Sequence, residues 1–235
     1  IIQIAGNVTL EKYGAIGNGI ADDHAAYTSA LASGNSILLG SKTYLTEAYT
    51  GGLAANTSLF GTGSQSVLKN LSNQPIVTIS GDWVNISGVN LFGTFGAGAT
   101  NHGISGGVYS HVIINDVWVY EPGHHGIVFT GNSAANQGPS ISNVRIFDAV
   151  NGAGIALDGS QYATVSNAHA IGGTYGIYID AGNAVVTGST FDLNTYGLYY
   201  NSVNGNDGHG VIVGCNFNHN TVEAIHIEPL TNGLD

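Results

Sequence analysis

The sequence predicts an all-β chain wound as a right-handed, single-stranded parallel β-helix with an N-terminal capping helix, and three observations lead there. A phrase of glycine, aliphatic, any residue, apolar recurs at Gly126-Ile127-Val128-Phe129, Gly154-Ile155-Ala156-Leu157, Gly176-Ile177-Tyr178-Ile179 and Gly197-Leu198-Tyr199-Tyr200, then as Ala224-Ile225-His226-Ile227, with a fainter copy at Gly103-Ile104. A second phrase interleaves with it and ends on Gly, Asn or Asp: Ile86-Ser87-Gly88, Ile114-Asn115-Asp116, Ile141-Ser142-Asn143, Val165-Ser166-Asn167, Val186-Thr187-Gly188 and Ile212-Val213-Gly214. Short runs rich in Val, Ile and Tyr are bounded by Gly or Asn, as strands between tight turns are. The 36 glycines in 235 residues follow no strict three-residue period, which excludes collagen.

Each element follows from these patterns. Asp22-Asp23-His24-Ala25-Ala26-Tyr27, running into Leu31-Ala32, predicts a short helix with Asp at its N-cap. It is expected to plug the open end of the solenoid, making 1–35 a cap and 36–235 the coils. Ser36–Leu39, Ser58–Phe60 and Ile76–Ile79 are expected to form irregular early coils, and six regular ones run from Gly88 to Ile227. The residue ending each second phrase enters the left-handed backbone region cheaply, so a corner is expected there. One and three places beyond it stand inward apolar residues such as Val117 and Val119 or Val144 and Ile146, and only Ser189 breaks this rule. A unit of about 21 to 28 residues cannot bury its apolar face alone, and parallel stacking on its neighbours gives a rise of ~4.8 Å per coil. Ile1, the lack of methionine and the seven residues Pro229–Asp235 after the last coil are expected of a piece of a longer chain, with a missing part or a partner subunit at the C-terminal end.

Composition narrows the partners. Lys and Arg total 4 against 15 Asp and Glu, a net charge of −11, too few cations to neutralise a phosphate backbone, so no nucleic acid partner is expected. No run approaches the ~18 apolar residues of a membrane span, so no membrane insertion is expected. The single Cys215 cannot form an internal disulfide and falls in an inward column beside Phe217 as a filler. The 9 histidines lack the short spacings of a zinc site, and Asn204-Gly205-Asn206-Asp207-Gly208 lacks the closing Glu of a calcium loop, so no metal and no cofactor is expected.

Chemistry in a solenoid sits on outward columns. In the Gly-Ile strand the first is Val128, Ala156, Tyr178, Tyr199, His226, and the next is Thr130, Asp158, Asp180, Asn201, Glu228. Tyrosines and a histidine beside carboxylates suit sugar rings, so Tyr178, Tyr199, His226 and Asn201 are expected to bind a glycan. Asp158 and Asp180, one coil and so ~5 Å apart, have the separation of a retaining glycosidase pair, whereas Asp180 and Glu228, ~9 to 10 Å apart, approach that of an inverting pair. Lengthened steps at Gly131–Ser140 and Asn201–Gly210 flank this face. Tyr120, Glu121, His124 and His125 form an alternative set, since Tyr and His serve as base and acid in proton abstraction next to a carboxylate. Only Lys12, Lys42, Lys69 and Arg145 are available to neutralise such a carboxylate, so a neutral or weakly charged glycan is the expected partner.

Lys12-Tyr13-Gly14-Ala15-Ile16-Gly17-Asn18-Gly19-Ile20-Ala21-Asp22-Asp23, followed by Ala25-Ala26, resembles the opening of the pectate-lyase-like β-helix superfamily. That superfamily includes polygalacturonase-type glycosidases, exoglucanases, epimerases and bacteriophage tailspikes, and the Lys-poor coils resemble a tailspike most. The resemblance implies a secreted or virion-tail location, a polysaccharide substrate and a homotrimer. Gly208-His209-Gly210 resembles the Gly-His-Gly of polygalacturonases, which implies a substrate role for His209, although that family's Asn-Thr-Asp, Asp-Asp and Arg-Ile-Lys motifs are absent. A polysaccharide hydrolase, a lyase or epimerase, and a non-catalytic adhesive or spacer solenoid are the three functions in view.

Overall fold

The computed structural model describes residues 6–48, 51–94, 101–131, 138–180, 183–201 and 210–228. Over these residues the chain is an all-β solenoid of parallel strands in two sheets. One sheet stacks eight strands, one per coil, in chain order: Gly52–Leu53, Val77–Ile79, Ile104–Gly106, Ile127–Thr130, Ala153–Asp158, Tyr175–Asp180, Tyr196–Tyr200 and Glu223–Ile227. We call it the tyrosine sheet. The other, the corner sheet, has 15 strands, among them Asn85–Phe92, Ile113–Tyr120 and Ser140–Phe147 in continuous register.

The corners lie where the second phrase places them. Gly88, Asp116, Asn143, Asn167, Gly188 and Gly214 have φ of 63, 54, 53, 48, 55 and 64°, a region that most side chains avoid and Asn or Asp tolerates. Asparagines then link the corners: Asn143 Nδ2 donates to Asn115 Oδ1 at 2.8 Å, and Asn167 Nδ2 to Asn143 Oδ1 at 2.6 Å. The inward residues beyond them, including Val117, Val119, Val144 and Ile146, join Ile155 and Ile177 in one fully buried core. Each such side chain contributes roughly 1.5–3 kcal/mol by leaving water. Ser189 is tolerated there because its hydroxyl accepts from Ala168 N at 3.1 Å and donates to Thr187 O at 3.0 Å.

The glycine of the first phrase answers to a different constraint. A Cβ on Gly103 would stand 2.4 Å from Gly126 O, one on Gly126 2.6 Å from Gly154 O, and one on Gly154 2.8 Å from Gly176 O. At Gly176 it would meet Gly197 O at 2.5 Å and Phe191 Cβ at 2.7 Å, and at Gly197 it would meet Ala224 O at 2.5 Å. None of these five glycines has a positive φ; they are glycines because the next coil's backbone occupies the space of a side chain. Ala224 stands at the equivalent place in the last described coil.

The helix spans His24–Ala32 and buries Ala26, Tyr27 and Ala30. Asp23 sits at its N-cap but makes no cap bond. Its buried carboxylate instead accepts from Ile16 N at 2.7 Å and Gly17 N at 3.1 Å, fixing the loop that carries the superfamily-like motif. The segment before the helix also joins the corner sheet, with Asn7–Thr9 paired to Ser36–Leu38 and Asn18–Asp22 to Thr43–Thr46. At the other end the inward column changes character. Ile225 and Ile227 are 47% and 67% exposed, since no described residue covers that coil, and Cys215 is only half-buried.

Two substitutions separate the two kinds of glycine. Gly176→Ala is expected to lower unfolding stability by about 1–3 kcal/mol through overpacking. Gly188→Asn, at a corner where a Cβ meets nothing within 4 Å, is expected to cost less than about 1 kcal/mol. Urea denaturation of the two variants measures both.

Candidate functional site

The close glycine contact shapes the outer face of the tyrosine sheet. Gly176 and Ile177 are both buried, as are Gly197 and Leu198, so in these two strands the glycine and its successor take consecutive inward positions. The residues before and after that pair both emerge outward, giving two parallel columns where strict alternation predicts one. The column after the pair is Val128, Ala156, Tyr178, Tyr199, His226, paired coil to coil as expected. The column before it pairs Ala153, Tyr175, Tyr196 and Glu223, and is continued downward by His125 and His102, whose rings stack at 5.2 Å.

Where both columns carry rings, a patch forms. Tyr175 lies 4.9 Å from Tyr199 and 5.6 Å from Tyr196, Tyr178 stacks on Tyr199 at 5.9 Å, and Tyr199 stacks on His226 at 4.5 Å. Where the coil below offers only small residues, Gly152 and Ala156, a cavity of about 260 Å³ opens instead. His124 and His125 wall it on one side, Tyr175 and Tyr178 on the other, and Asp158 stands in the wall between. Two separately predicted sets thus meet: Asp158 and Tyr178 from the first, His124 and His125 from the alternative. Tyr175 and Tyr196 escape the period-2 reading, though each announces itself as a Tyr directly before a repeat glycine.

The carboxylates differ in setting. Asp158 pairs in register with Asp180, one coil apart as expected, but Asp158 is exposed whereas Asp180 is 6% exposed, flanked within its column by Asp158 and Asn201. Asn201 Nδ2 donates to Tyr178 Oη at 2.9 Å, orienting that ring. Glu228 accepts a short hydrogen bond from Tyr199 and lies 3.2 Å from His226 Nε2, while His226 Nδ1 meets Glu223 at 2.6 Å. The Tyr199 bond, then that of His226, holds Glu228 below the usual carboxylate range. The Glu223 contact, then that of Glu228, raises His226. Glu228 is therefore held in its ionised form.

His102, His124 and His125 bring ring nitrogens within 4.8 Å of one another, a grouping of metal-ligand type that sequence spacing alone does not reveal because two coils contribute. Burial holds all three below the ordinary histidine value, His102 to about 4 and His125 to about 3. His125 Nδ1 accepts from Ala153 N at 2.9 Å and His102 Nδ1 from His125 N at 3.3 Å, so in both neutral rings Nε2 carries the proton. A metal at Nε2 requires those acceptor bonds to break, so the arrangement fits hydrogen-bond donors better than ligands. Tyr120 lies elsewhere, stacked between Phe92 and Phe147 at 4.4 and 5.0 Å on the corner sheet. Glu121 follows it with a positive φ of 48°, and neither residue lines the cavity. His209 and the Asn204–Gly208 loop lie outside the described residues.

No protein-family model matches the sequence, and no curated protein is significantly similar to it. Solved structures do share the fold. The N-terminal fragment of bacteriophage phi29 gene product 12 matches with a TM-score of 0.72 at 20% identity, over 90% of this chain and 41% of that one. A mutant tailspike of E. coli bacteriophage HK620, in complex with a pentasaccharide, matches at 0.67 and 10% identity, over 89% of this chain and 44% of that one. PfbA, a surface adhesin of Streptococcus pneumoniae, matches at 0.56 and 15% identity, over 97% and 68%. The chain thus spans less than half the length of the two phage proteins. No helix among the described residues is long and apolar enough to cross a membrane.

The buried histidines make stability depend on pH. Between about pH 6.5 and 4 the unfolded imidazoles of His102 and His125 take up protons that the folded ones refuse, so stability falls as pH is lowered through that window. Urea midpoints measured from pH 7 to 4 are expected to decline, and the decline to flatten when both residues are changed to Asn. NMR titration is expected to place His226 on the opposite side of the ordinary value.

Proposed function

We propose that the chain binds a neutral or weakly charged polysaccharide along the tyrosine face and hydrolyses it at the cavity beside Asp158. One observation carries this reading: a continuous patch of four tyrosines and His226 ends at a cavity that holds an exposed carboxylate. Aromatic faces stack on the C–H faces of sugars, carboxylates and ring N–H groups bond to hydroxyls, and no Lys or Arg stands in either column to demand an acidic substrate. The structural likeness to a tailspike crystallised with a pentasaccharide supports a glycan as ligand.

In this reading Asp158 contacts the sugar and Asp180, in register one coil away, is its partner at ~4.8 Å, the spacing of a retaining mechanism. One carboxylate attacks the anomeric carbon as the other protonates the leaving oxygen, and water then resolves the glycosyl ester with the second acting as base. Glu228, kept ionised at the far end of the patch, serves substrate binding or an inverting variant of the reaction with Asp180. We further propose a right-handed coil whose helix closes the N-terminal end, carried in a homotrimer on a virion tail or another extracellular surface. The histidine and tyrosine walls of the cavity favour a second reading, a lyase or epimerase that removes a proton α to a carboxylate. The likeness to an adhesin keeps a third, non-catalytic one.

Release of reducing ends from panels of capsule and O-antigen polysaccharides separates them. Hydrolysis predicts release by the wild type and a loss of about 10²-fold or more in Asp158→Asn and Asp180→Asn. Tyr199→Ala is expected to weaken binding about tenfold. Unsaturated-product absorbance identifies the lyase instead, and no release from any glycan leaves the adhesin.

A further inference from the structure

A second groove, on the corner sheet, contains the one cation of the regular coils. There the outward column runs Asn90, Trp118, Arg145, His169, Thr190 in register. The Arg145 guanidinium lies over the Trp118 indole, 5.0 Å from its centroid. Among the described residues no carboxylate lies within 4.0 Å of it. In a chain with 15 acidic residues and 4 basic ones, an exposed arginine parked on an aromatic ring rather than on a carboxylate is left with its planar fork of donors unused.

Its neighbours complete a binding surface. His169 Nε2 is buried with no hydrogen-bond partner, and burial, then the Arg145 charge, lowers the ring's pKa and keeps it neutral. Asn143 and Asn167 rim the same cavity, of about 330 Å³, and their ladder bonds leave amide capacity over. Asp116 stands at the rim, and Asp192 lies near enough to act on His169.

We propose that this groove binds a uronate residue of a glycan: the carboxylate on the Arg145 fork, the sugar ring against Trp118, and hydroxyls on Asn143, Asn167 and His169. A guanidinium grips a carboxylate through two parallel hydrogen bonds, and the indole offers the flat apolar face that a pyranose needs. The acids at the rim and the net charge of −11 set the charge density of the ligand. A chain with a carboxylate on every sugar is repelled, whereas one uronate flanked by neutral sugars is accepted. The groove lies on a different sheet from the tyrosine face, and the inference does not depend on cleavage there.

The chain's 2 tryptophans, Trp83 and Trp118, give separate indole N–H signals for an NMR titration. The probe is a hexasaccharide of alternating glucuronic acid and N-acetylglucosamine, compared with its carboxyl-reduced form. The acidic form is expected to shift the Trp118 signal and leave that of Trp83 in place, to bind at least about tenfold more tightly than the reduced form, and to weaken with added salt. Arg145→Gln, at an exposed position whose loss leaves the core intact, is expected to lose about tenfold or more, and Arg145→Lys to restore only part because an ammonium lacks the fork. An unmoved Trp118 signal, equal affinity for the reduced sugar, or unchanged affinity in a folded Arg145→Gln variant each overturns the proposal. None of these outcomes bears on hydrolysis at the tyrosine face.

Discussion

The structure depends on one steric constraint: at Gly103, Gly126, Gly154, Gly176 and Gly197 the next coil's backbone carbonyl fills the place of a side chain. Parallel strands ~4.8 Å apart leave no slack there, so every coil must enter the tyrosine sheet at the same point. Because the glycine and its successor both turn inward, the residues on either side of them are both sent outward. A packing requirement of the backbone thereby decides that a histidine or tyrosine in each of two neighbouring columns faces solvent side by side.

What those columns hold then determines the chemistry available. Large rings in both make the patch of Tyr175, Tyr178, Tyr196, Tyr199 and His226, and small residues one coil below, Gly152 and Ala156, leave room for the cavity. The cavity is thus a missing rung in a ladder of side chains rather than a cleft between domains. Glu228 and His226 stabilise each other's charged form at one end. At the other, three imidazoles are kept neutral by burial. The stripe therefore passes from ionised groups to neutral donors along a single face.

Much of this was legible in the residues alone. The corner column was readable because only Gly, Asn and Asp enter the left-handed region at little cost, and the inward columns because apolar residues recur on either side of it. The register of Asp158 with Asp180 and of Tyr178 with Tyr199 and His226 follows from the glycine phrase directly. Tyr175, Tyr196 and His102 escape a period-2 rule, which cannot anticipate two successive buried positions. Each nonetheless immediately precedes a repeat glycine. Asp180 shares its outward column with the exposed Asp158 yet is 6% exposed, a difference that column position alone does not signal. The histidine cluster draws on two coils, so no local spacing signals it. Arg145 and Trp118 were readable as an outward pair, but only their stacking and the lack of a carboxylate partner single them out.

Under the proposed function the two outward columns act as one extended glycan-binding stripe. Calorimetric titration with oligosaccharides of increasing length, from a glycan that the chain retains on an array, tests it directly. Affinity is expected to rise with each added sugar until the ligand spans the four coil steps from His125 to His226, ~19 Å at ~4.8 Å per step, and then to level off. Affinity that is already complete with a single sugar, or no retention of any glycan, contradicts the account.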